Sequence, residues 1–172
     1  MNHLAKRRRK RARQLSHHTQ PDINGFTLTE LIIAVGIVVT LSFIAIPSYF
    51  SQACKSKTTE VISSVSSLQA IISAYIDETG AYPTNWDNLN SISAIMSVGG
   101  EMTGEFTEIW TLPSEHYEIT VSGPASSTYN ITGVSKDGCP NRDVKACLNA
   151  STGASKLSRG DGTTNAVDVI CT

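Results

Sequence analysis

Residues 26–50 form an apolar segment in which Glu30 is the only charged side chain, and this segment limits the folds open to the chain. As a helix rising ~1.5 Å per residue it would be ~37 Å long, enough to cross the ~30 Å hydrocarbon core of a bilayer. Basic residues precede the segment, and the next one after it is Lys55. Because basic residues flank the cytoplasmic end of a membrane helix, we expect a cytoplasmic N-terminus, with everything after Ala53 outside.

The charges divide the chain into two segments of opposite sign. Residues 1–25 hold seven basic residues, all between Lys6 and Arg13, and one acidic residue, Asp22, so their net charge is +6. Residues 26–172 hold seven basic and fourteen acidic residues, a net charge of −7. If the basic segment is retained, it favours nucleic acid or acidic lipid as a partner, whereas its removal leaves an acidic protein.

Three fates of the apolar segment are compatible with its length. Cleavage after it, as in a secretory signal, has only a poor site at Ala45-Ile46-Pro47. Lipidation at Cys54 lacks the apolar residue expected three positions earlier. Cleavage before the segment, at Gly25, would keep it in the mature protein. Glu30 favours this third fate, because a carboxylate inside a membrane helix normally has a partner or a function; the alternative is a hydrated Glu30 at the headgroup level.

The motif Gly25-Phe26-Thr27-Leu28-Thr29-Glu30 resembles the processing motif of type IV prepilins. The resemblance implies that a prepilin peptidase cuts after Gly25 and methylates the new N-terminus at Phe26. It also implies that Glu30 serves assembly by facing the N-terminal amine of a neighbouring subunit. The leader, residues 1–25, is longer than is usual in the Phe-starting class, and this leaves the subclass open.

A proline, Pro47, lies near the end of the apolar segment, and type IV pilins resemble this sequence in having one there. A proline inside a helix removes one backbone hydrogen bond and clashes with the preceding turn, here at the carbonyl of Phe43. We therefore expect a kink or a local break at Pro47, with an assembly role implied by the resemblance. The alternative is that Pro47 ends the membrane helix.

The rest of the chain predicts an α+β fold of the pilin-like kind, in which a long N-terminal helix packs on a small antiparallel sheet. Apolar residues recur every three or four positions from Val61 to Tyr75, which predicts an amphipathic helix that ends near Gly80. Trp86 to Met96 predicts a short helix. Strands are predicted at residues 105–112, 117–122 and 129–134, with a further short strand at 167–171, because these segments are rich in β-branched and aromatic residues.

The predicted organisation therefore has five parts. Residues 1–25 are a leader that is removed, 26–53 a transmembrane and filament-core helix, and 54–79 its amphipathic continuation. Residues 80–136 form a loop and a sheet, and 137–172 a Cys-bounded C-terminal region with little apolar content.

Four cysteines, Cys54, Cys139, Cys147 and Cys171, form no C-x-x-C pair, which favours disulfides in an oxidising compartment over a zinc site. Three pairings are possible. We expect Cys139–Cys147, which closes a short loop, and Cys54–Cys171, which ties the end of the chain to the long helix.

No catalytic constellation is visible: the sequence has no G-x-S-x-G, H-E-x-x-H or P-loop motif. His116 is the only histidine after Gly25 and is expected at the surface. Asp137-Gly138 and Asp161-Gly162 are predicted turns without the carboxylate series of a calcium site. We expect neither an enzyme nor a metal or cofactor site.

The function that this resemblance implies is that of a structural subunit of a bacterial type IV pilus-like filament that supports motility, adhesion or DNA uptake. Its partners would be further copies, other pilins, the prepilin peptidase and the assembly machinery, first in the inner membrane and then in the extracellular pilus. Alternatives are a secretion pseudopilin and a competence-type minor pilin that binds DNA. The net charge of −7 argues against DNA, although a cluster of basic residues keeps it possible: Lys136, Arg142, Lys145, Lys156 and Arg159.

Overall fold

The computed structural model describes residues 25–172, so the predicted leader lies outside the described residues except for Gly25. The chain divides into two units, with the boundary after Ser42, inside the first helix. Residues 25–172 contain two helices and seven strands, in the order α1 Leu28–Thr79, α2 Trp86–Asn90, β1 Met96–Ser97, β2 Gly100–Glu101, β3 Trp110–Thr111, β4 Tyr117–Ala125, β5 Thr128–Ser135, β6 Val144–Asn149 and β7 Ser155–Arg159. The α+β class, with a long apolar helix and an antiparallel sheet, is confirmed.

In the first unit, the described residues 25–42 include the start of α1 at Leu28, and their apolar side chains are exposed. The two hydroxyls near the end of this unit are satisfied within the helix. Thr40 Oγ1 donates to the carbonyl of Ile37 at 2.8 Å, and Ser42 Oγ donates to that of Val38 at 2.8 Å. Polar side chains bonded in this way present little unmet hydrogen-bonding capacity, which suits an apolar environment.

In the second unit α1 continues from Phe43 to Thr79, and Pro47 lies inside the helix. The helix is assigned on both sides of Pro47; the kink expected there stays a prediction. The helix ends where predicted: Gly80 has a φ of +68° and its N–H donates to the carbonyl of Ile76 at 2.8 Å. A glycine in this conformation ends a helix without the steric cost of a Cβ atom.

The buried residues of α1 form the predicted stripe along one face, spaced by three or four positions. They are Thr58, Val61, Val65, Leu68 and Ile72. All lie after Cys54, so the buried core belongs to residues 54–172, which we call the head.

The sheet of the head has five antiparallel strands in the order β3-β4-β5-β6-β7. Buried and outward-facing residues alternate along β4 and β5, and the pairs Ile119↔Gly133 and Val121↔Ile131 face the core. A Cβ atom on Gly133 would lie 2.8 Å from Cγ2 of Val61. The absence of a side chain at Gly133 therefore lets α1 approach the sheet closely.

The loop between α1 and the sheet supplies an aromatic cluster. Trp86 contacts Phe106 and Trp110 edge to face, with ring centroids 5.1 and 6.0 Å apart. Tyr129 joins through Phe106 and donates its hydroxyl to the carbonyl of Pro83 at 2.8 Å, and burial raises the pKa of that phenol. The predicted short helix is present but ends at Asn90; the side chain of Asn85 caps it by accepting from the N–H of Asn88.

The strands differ more from prediction than the helices do. The strand expected at residues 105–112 is reduced to Trp110–Thr111, and residues 167–171 form no strand. Four strands were not predicted: Met96–Ser97, Gly100–Glu101, Val144–Asn149 and Ser155–Arg159. β7 is largely polar and lies at the sheet edge, so pairing with β6 rather than its own apolar content makes it a strand.

The predicted disulfide pairing is wrong: the bonds are Cys54–Cys139 and Cys147–Cys171, with Cα–Cα distances of 5.7 and 5.8 Å. Cys147 lies in β6, which is hydrogen-bonded to β5 on one side and β7 on the other. A disulfide requires Cα atoms within ~7 Å of each other, and the tertiary fold brings Cys139 to Cys54 on α1 and the C-terminal Cys171 to Cys147.

Candidate functional site

The first candidate site is the N-terminus of α1, where the processing and assembly residues were predicted. Thr27 precedes the first helical residue, Leu28, and Glu30 is the third residue of the helix. Glu30 Oε2 accepts from the backbone N–H of Thr27 at 2.8 Å and from its hydroxyl at 2.7 Å. The N–H of Glu30 donates to Thr27 Oγ1 at 3.2 Å. This reciprocal pattern is a capping box, which the sequence analysis missed although the T-x-x-E spacing signals it.

The cap engages only one oxygen of Glu30. Among the described residues, Oε1 accepts no hydrogen bond, and the side chain is exposed. Both hydrogen bonds to Oε2 come from Thr27, which holds the carboxylate at the end of the helix. The geometry therefore presents one oxygen of a fixed carboxylate to groups outside the chain.

Gly25 and Phe26 lie just before the cap and have no packing role in the described chain. Nothing lies within 4 Å of a Cβ atom built on Gly25, and its φ is not in the left-handed region. Phe26 is 91% exposed. Neither space nor backbone conformation requires these residue types, so a requirement would come from outside the chain.

The apolar surface of α1 after the cap is the second element of the site. In α1 an 18-residue window reaches a mean hydropathy of 2.5, and none of the window is buried. By length and composition, α1 is the one helix among residues 25–172 that could cross a membrane. Phe43, Ile44, Tyr49 and Phe50 are all exposed as well. A surface of this kind can be covered by lipid or by apolar helices of other copies.

The basic cluster predicted in the tail is not brought together as one patch. Lys136 pairs with Glu118 at 2.9 Å and Lys145 with Asp168 at 2.7 Å, and these hydrogen bonds raise the pKa of both lysines. Lys156 lies exposed on β7.

Arg142 and Arg159 instead line a concavity of about 390 Å³ together with Lys55 of α1. Lys55 was not predicted to belong to this group, because it lies 87 positions before Arg142 in the chain.

His116 lies at the partly exposed surface, as predicted, but it has a partner. Its Nδ1 contacts Asp137 Oδ2, and the same oxygen accepts from Lys57 Nζ at 2.6 Å. The pKa of Asp137 is lowered mainly by the hydrogen bond from the Lys57 ammonium, and His116 lowers it further. This cluster joins α1 to the segment after β5, close to the Cys54–Cys139 disulfide. Its chemistry is that of a structural ion pair.

Residues 25–172 contain no group of three or more His, Cys, Asp or Glu side chains that could hold a metal ion. All four cysteines are in disulfides, so none is a free thiol nucleophile. The arrangement offers surfaces for association.

Among curated proteins, the chain is similar to the type IV major pilin protein PilE1 of Neisseria gonorrhoeae, with 26% identity over 114 residues. The alignment covers 66% of this chain and 56% of the relative, so the chain spans little more than half of the relative's length. No family model and no solved structure matches the chain. The expected resemblance to pilins is confirmed by this similarity.

Proposed function

We propose that this pilin-like chain is the precursor of a structural subunit of a type IV pilus-like filament. The observation that carries the proposal is the exposed apolar part of α1, which begins at a carboxylate and leads into a disulfide-bonded head. A protein with this surface must cover it, first with the inner membrane and then with other subunits. Repeated contacts between different faces of identical subunits build open helical fibres, so the product is an extracellular filament.

The proposed maturation starts with cleavage between Gly25 and Phe26 by a prepilin peptidase, followed by methylation of the Phe26 amine. Two observations support it: Gly25 has no structural requirement for glycine, and Phe26 is exposed. Cleavage also removes the basic leader and leaves the acidic protein of net charge −7.

Glu30 is the proposed assembly residue. Its Oε2 is engaged by Thr27, whereas Oε1 is available to a second subunit. A carboxylate and an ammonium are each costly in apolar surroundings, and pairing between Glu30 of one copy and the Phe26 amine of the next reduces that cost. Pairing of this kind makes subunit addition depend on prior cleavage, since the uncut chain has no free amine at Phe26.

The test is the intact mass and N-terminal sequence of the protein isolated from its native membrane and from sheared surface filaments. We expect both fractions to begin with N-methyl-Phe26. An intact leader or an N-terminus at Cys54 would reject the proposal, as would absence of the protein from the filament fraction.

A further inference from the structure

The head contains all seven basic residues found after the leader, and only some of them form ion pairs with carboxylates among the described residues. Lys57, Lys136 and Lys145 each form an ion pair with a carboxylate. Three others line a single concavity, and none of them has a carboxylate within ion-pair distance among residues 25–172. We call this concavity the basic cleft; its cations are Lys55, Arg142 and Arg159.

The core of the head holds the basic cleft in place. The hydroxyl of buried Tyr117 donates to the backbone carbonyl of Arg142 at 2.8 Å and lies 3.1 Å from Oγ1 of Thr58 on α1. The guanidinium of Arg142 packs against Gly162, where an added Cβ atom would lie 2.8 Å from Nη2. Arg142 is therefore fixed between the sheet, the helix and the C-terminal segment.

Asp161 also lines the basic cleft, and its carboxylate and that of Asp143, the residue after Arg142, accept hydrogen bonds from backbone amides. Asp161 Oδ1 accepts from the N–H groups of Thr163 and Thr164, both at 2.7 Å, and these bonds lower the pKa of Asp161. Asp143 Oδ1 accepts from the N–H of Ala166 at 2.9 Å. These two acids shape the segment after β7 and leave the three cations without an ion-pair partner.

Acidic side chains that form no ion pair within residues 25–172 line a second concavity of about 580 Å³, which we call the acidic rim. Glu101, Glu105 and Glu108 line it, all three are exposed, and none forms an ion pair among the described residues. Ile109, which also lines it, is 51% exposed and adds apolar surface.

The basic cleft and the acidic rim belong to opposite edges of the sheet. Arg159 ends β7, at one edge, and Glu108 lies two residues before β3, at the other. Four strand spacings of ~4.8 Å separate these edges, about 19 Å, which exceeds the ~10 Å Debye length at 0.1 M salt. The two groups therefore do not neutralise each other within one copy, and an edge-to-edge contact between copies would be heterologous.

We propose that the basic cleft receives the acidic rim of a neighbouring copy. This inference rests on the proposed filament function and adds the surface through which the heads contact each other. Charge complementarity favours a second copy as the occupant, because the same chain, within residues 25–172, carries both the three unpaired cations of the basic cleft and the three unpaired glutamates of the acidic rim. Duplex DNA is also an anion, and its binding is a separate outcome of the test. A contact of this kind fixes the register between successive heads.

The test is a charge-reversal series in the full chain, produced in the native bacterium without the wild-type copy. Arg159→Glu reverses a cation of the cleft; Lys156→Glu is the matched control, since it makes the same charge change on the same strand outside the cleft. We expect Arg159→Glu to reduce filament yield at least about tenfold at equal membrane levels, because like charges are then juxtaposed. Lys156→Glu should assemble normally. Combining Arg159→Glu with Glu101→Lys, Glu105→Lys or Glu108→Lys should restore the yield in at least one case.

Equal filament yields from Arg159→Glu and Lys156→Glu would overturn the inference while leaving the filament function intact. Failure of all three combinations to restore assembly would also overturn it. If the wild-type chain forms no filaments, the proposed function itself fails. Binding of duplex DNA by the detergent-solubilised full chain, lost in Arg159→Glu while filament yield is unchanged, would overturn the inference in favour of a nucleic-acid site.

Discussion

At the scale of the residue, the observed cap and the proposed assembly role of Glu30 can be separated, because the capping bonds need only an acceptor whereas pairing with an amine needs a charge. The two bonds from Thr27 reach one oxygen, and glutamine can replace glutamate in a capping box. Glu30→Gln thus keeps the helix end and removes the charge, whereas Glu30→Val removes both.

We therefore expect Glu30→Gln and Glu30→Val to be cleaved and inserted like the wild type but to yield few or no filaments. Immunoblots of membrane and sheared surface fractions measure this. Thr29→Val is the matched control, since Thr29 is the adjacent exposed residue and takes no part in the cap. Normal filaments from Glu30→Gln would limit Glu30 to capping the helix.

Asp137 makes the stability of the head depend on pH. Its pKa is lowered below the ordinary value of 3.8, mainly by Lys57, so the folded state holds the carboxylate charged more strongly than the unfolded state does. The resulting stability is present above pH ~3.8 and is lost as the pH falls through the lowered folded pKa.

Asp137→Asn should consequently lower the melting temperature at neutral pH and flatten its fall between about pH 5 and pH 2. Asp77→Asn, at an exposed carboxylate of α1 that forms no ion pair among the described residues, is the control. Parallel acid profiles for Asp137→Asn and wild type would contradict the assignment.

At the scale of the element, the close packing of α1 on β5 depends on the absence of a side chain at Gly133. A Cβ atom at Gly133 would meet Val61 Cγ2 at 2.8 Å, and both residues are fully or largely buried. Gly133→Ala should therefore cost ~1–3 kcal/mol through overpacking, whereas Val61→Ala should cost about as much by leaving a cavity.

The double variant Gly133→Ala/Val61→Ala should be more stable than the sum of the two single effects predicts, by ~0.5–3 kcal/mol. Urea unfolding in detergent, followed through buried Trp86 and Trp110, measures the free energies of unfolding. Additive effects of the two substitutions would show that the helix and the sheet do not meet at this point.

Helices and strands with a regular pattern of apolar residues could be predicted from the sequence. Strands that form only because they pair with neighbouring strands could not. The buried stripe of α1 and strands β4 and β5 carry their own pattern, so their positions follow from periods of 3.6 and 2. β6 contains Lys145 and Asn149, and β7 reads SKLSR; both depend on neighbours for their conformation. The proposed processing motif could be recognised because its residues are consecutive in the sequence. Lys55, Arg142 and Arg159 are far apart in the sequence, and only the tertiary fold brings them to one cleft.

At the scale of the whole molecule, the two disulfides close loops of different length. Cys54–Cys139 spans 85 positions and Cys147–Cys171 spans 24. Removing a native disulfide typically costs ~2–5 kcal/mol, and the loop-entropy relation makes loss of the longer loop worse by ~1 kcal/mol.

Cys54→Ala/Cys139→Ala should therefore lower the free energy of unfolding more than Cys147→Ala/Cys171→Ala does. Urea titrations of the two double variants compare them, and non-reducing peptide mapping of the wild type checks the pairing. The reverse order of stability would contradict the loop argument, and a Cys54–Cys171 peptide would contradict the pairing.

The order of the two disulfides along the chain also has a mechanical consequence. Tension applied between residue 53 of α1 and the C-terminus passes through the bond from Cys54 to Cys139, along residues 140–146, and then through the bond from Cys147 to Cys171. The residues inside each loop bear no load once their bond is taut. Only the segment between Cys139 and Cys147 can extend, to a full length of at most ~29 Å for eight Cα–Cα steps of ~3.6 Å. Within each subunit these covalent bonds would limit how far the head can be stretched, and reduction of the two disulfides would make the head more extensible.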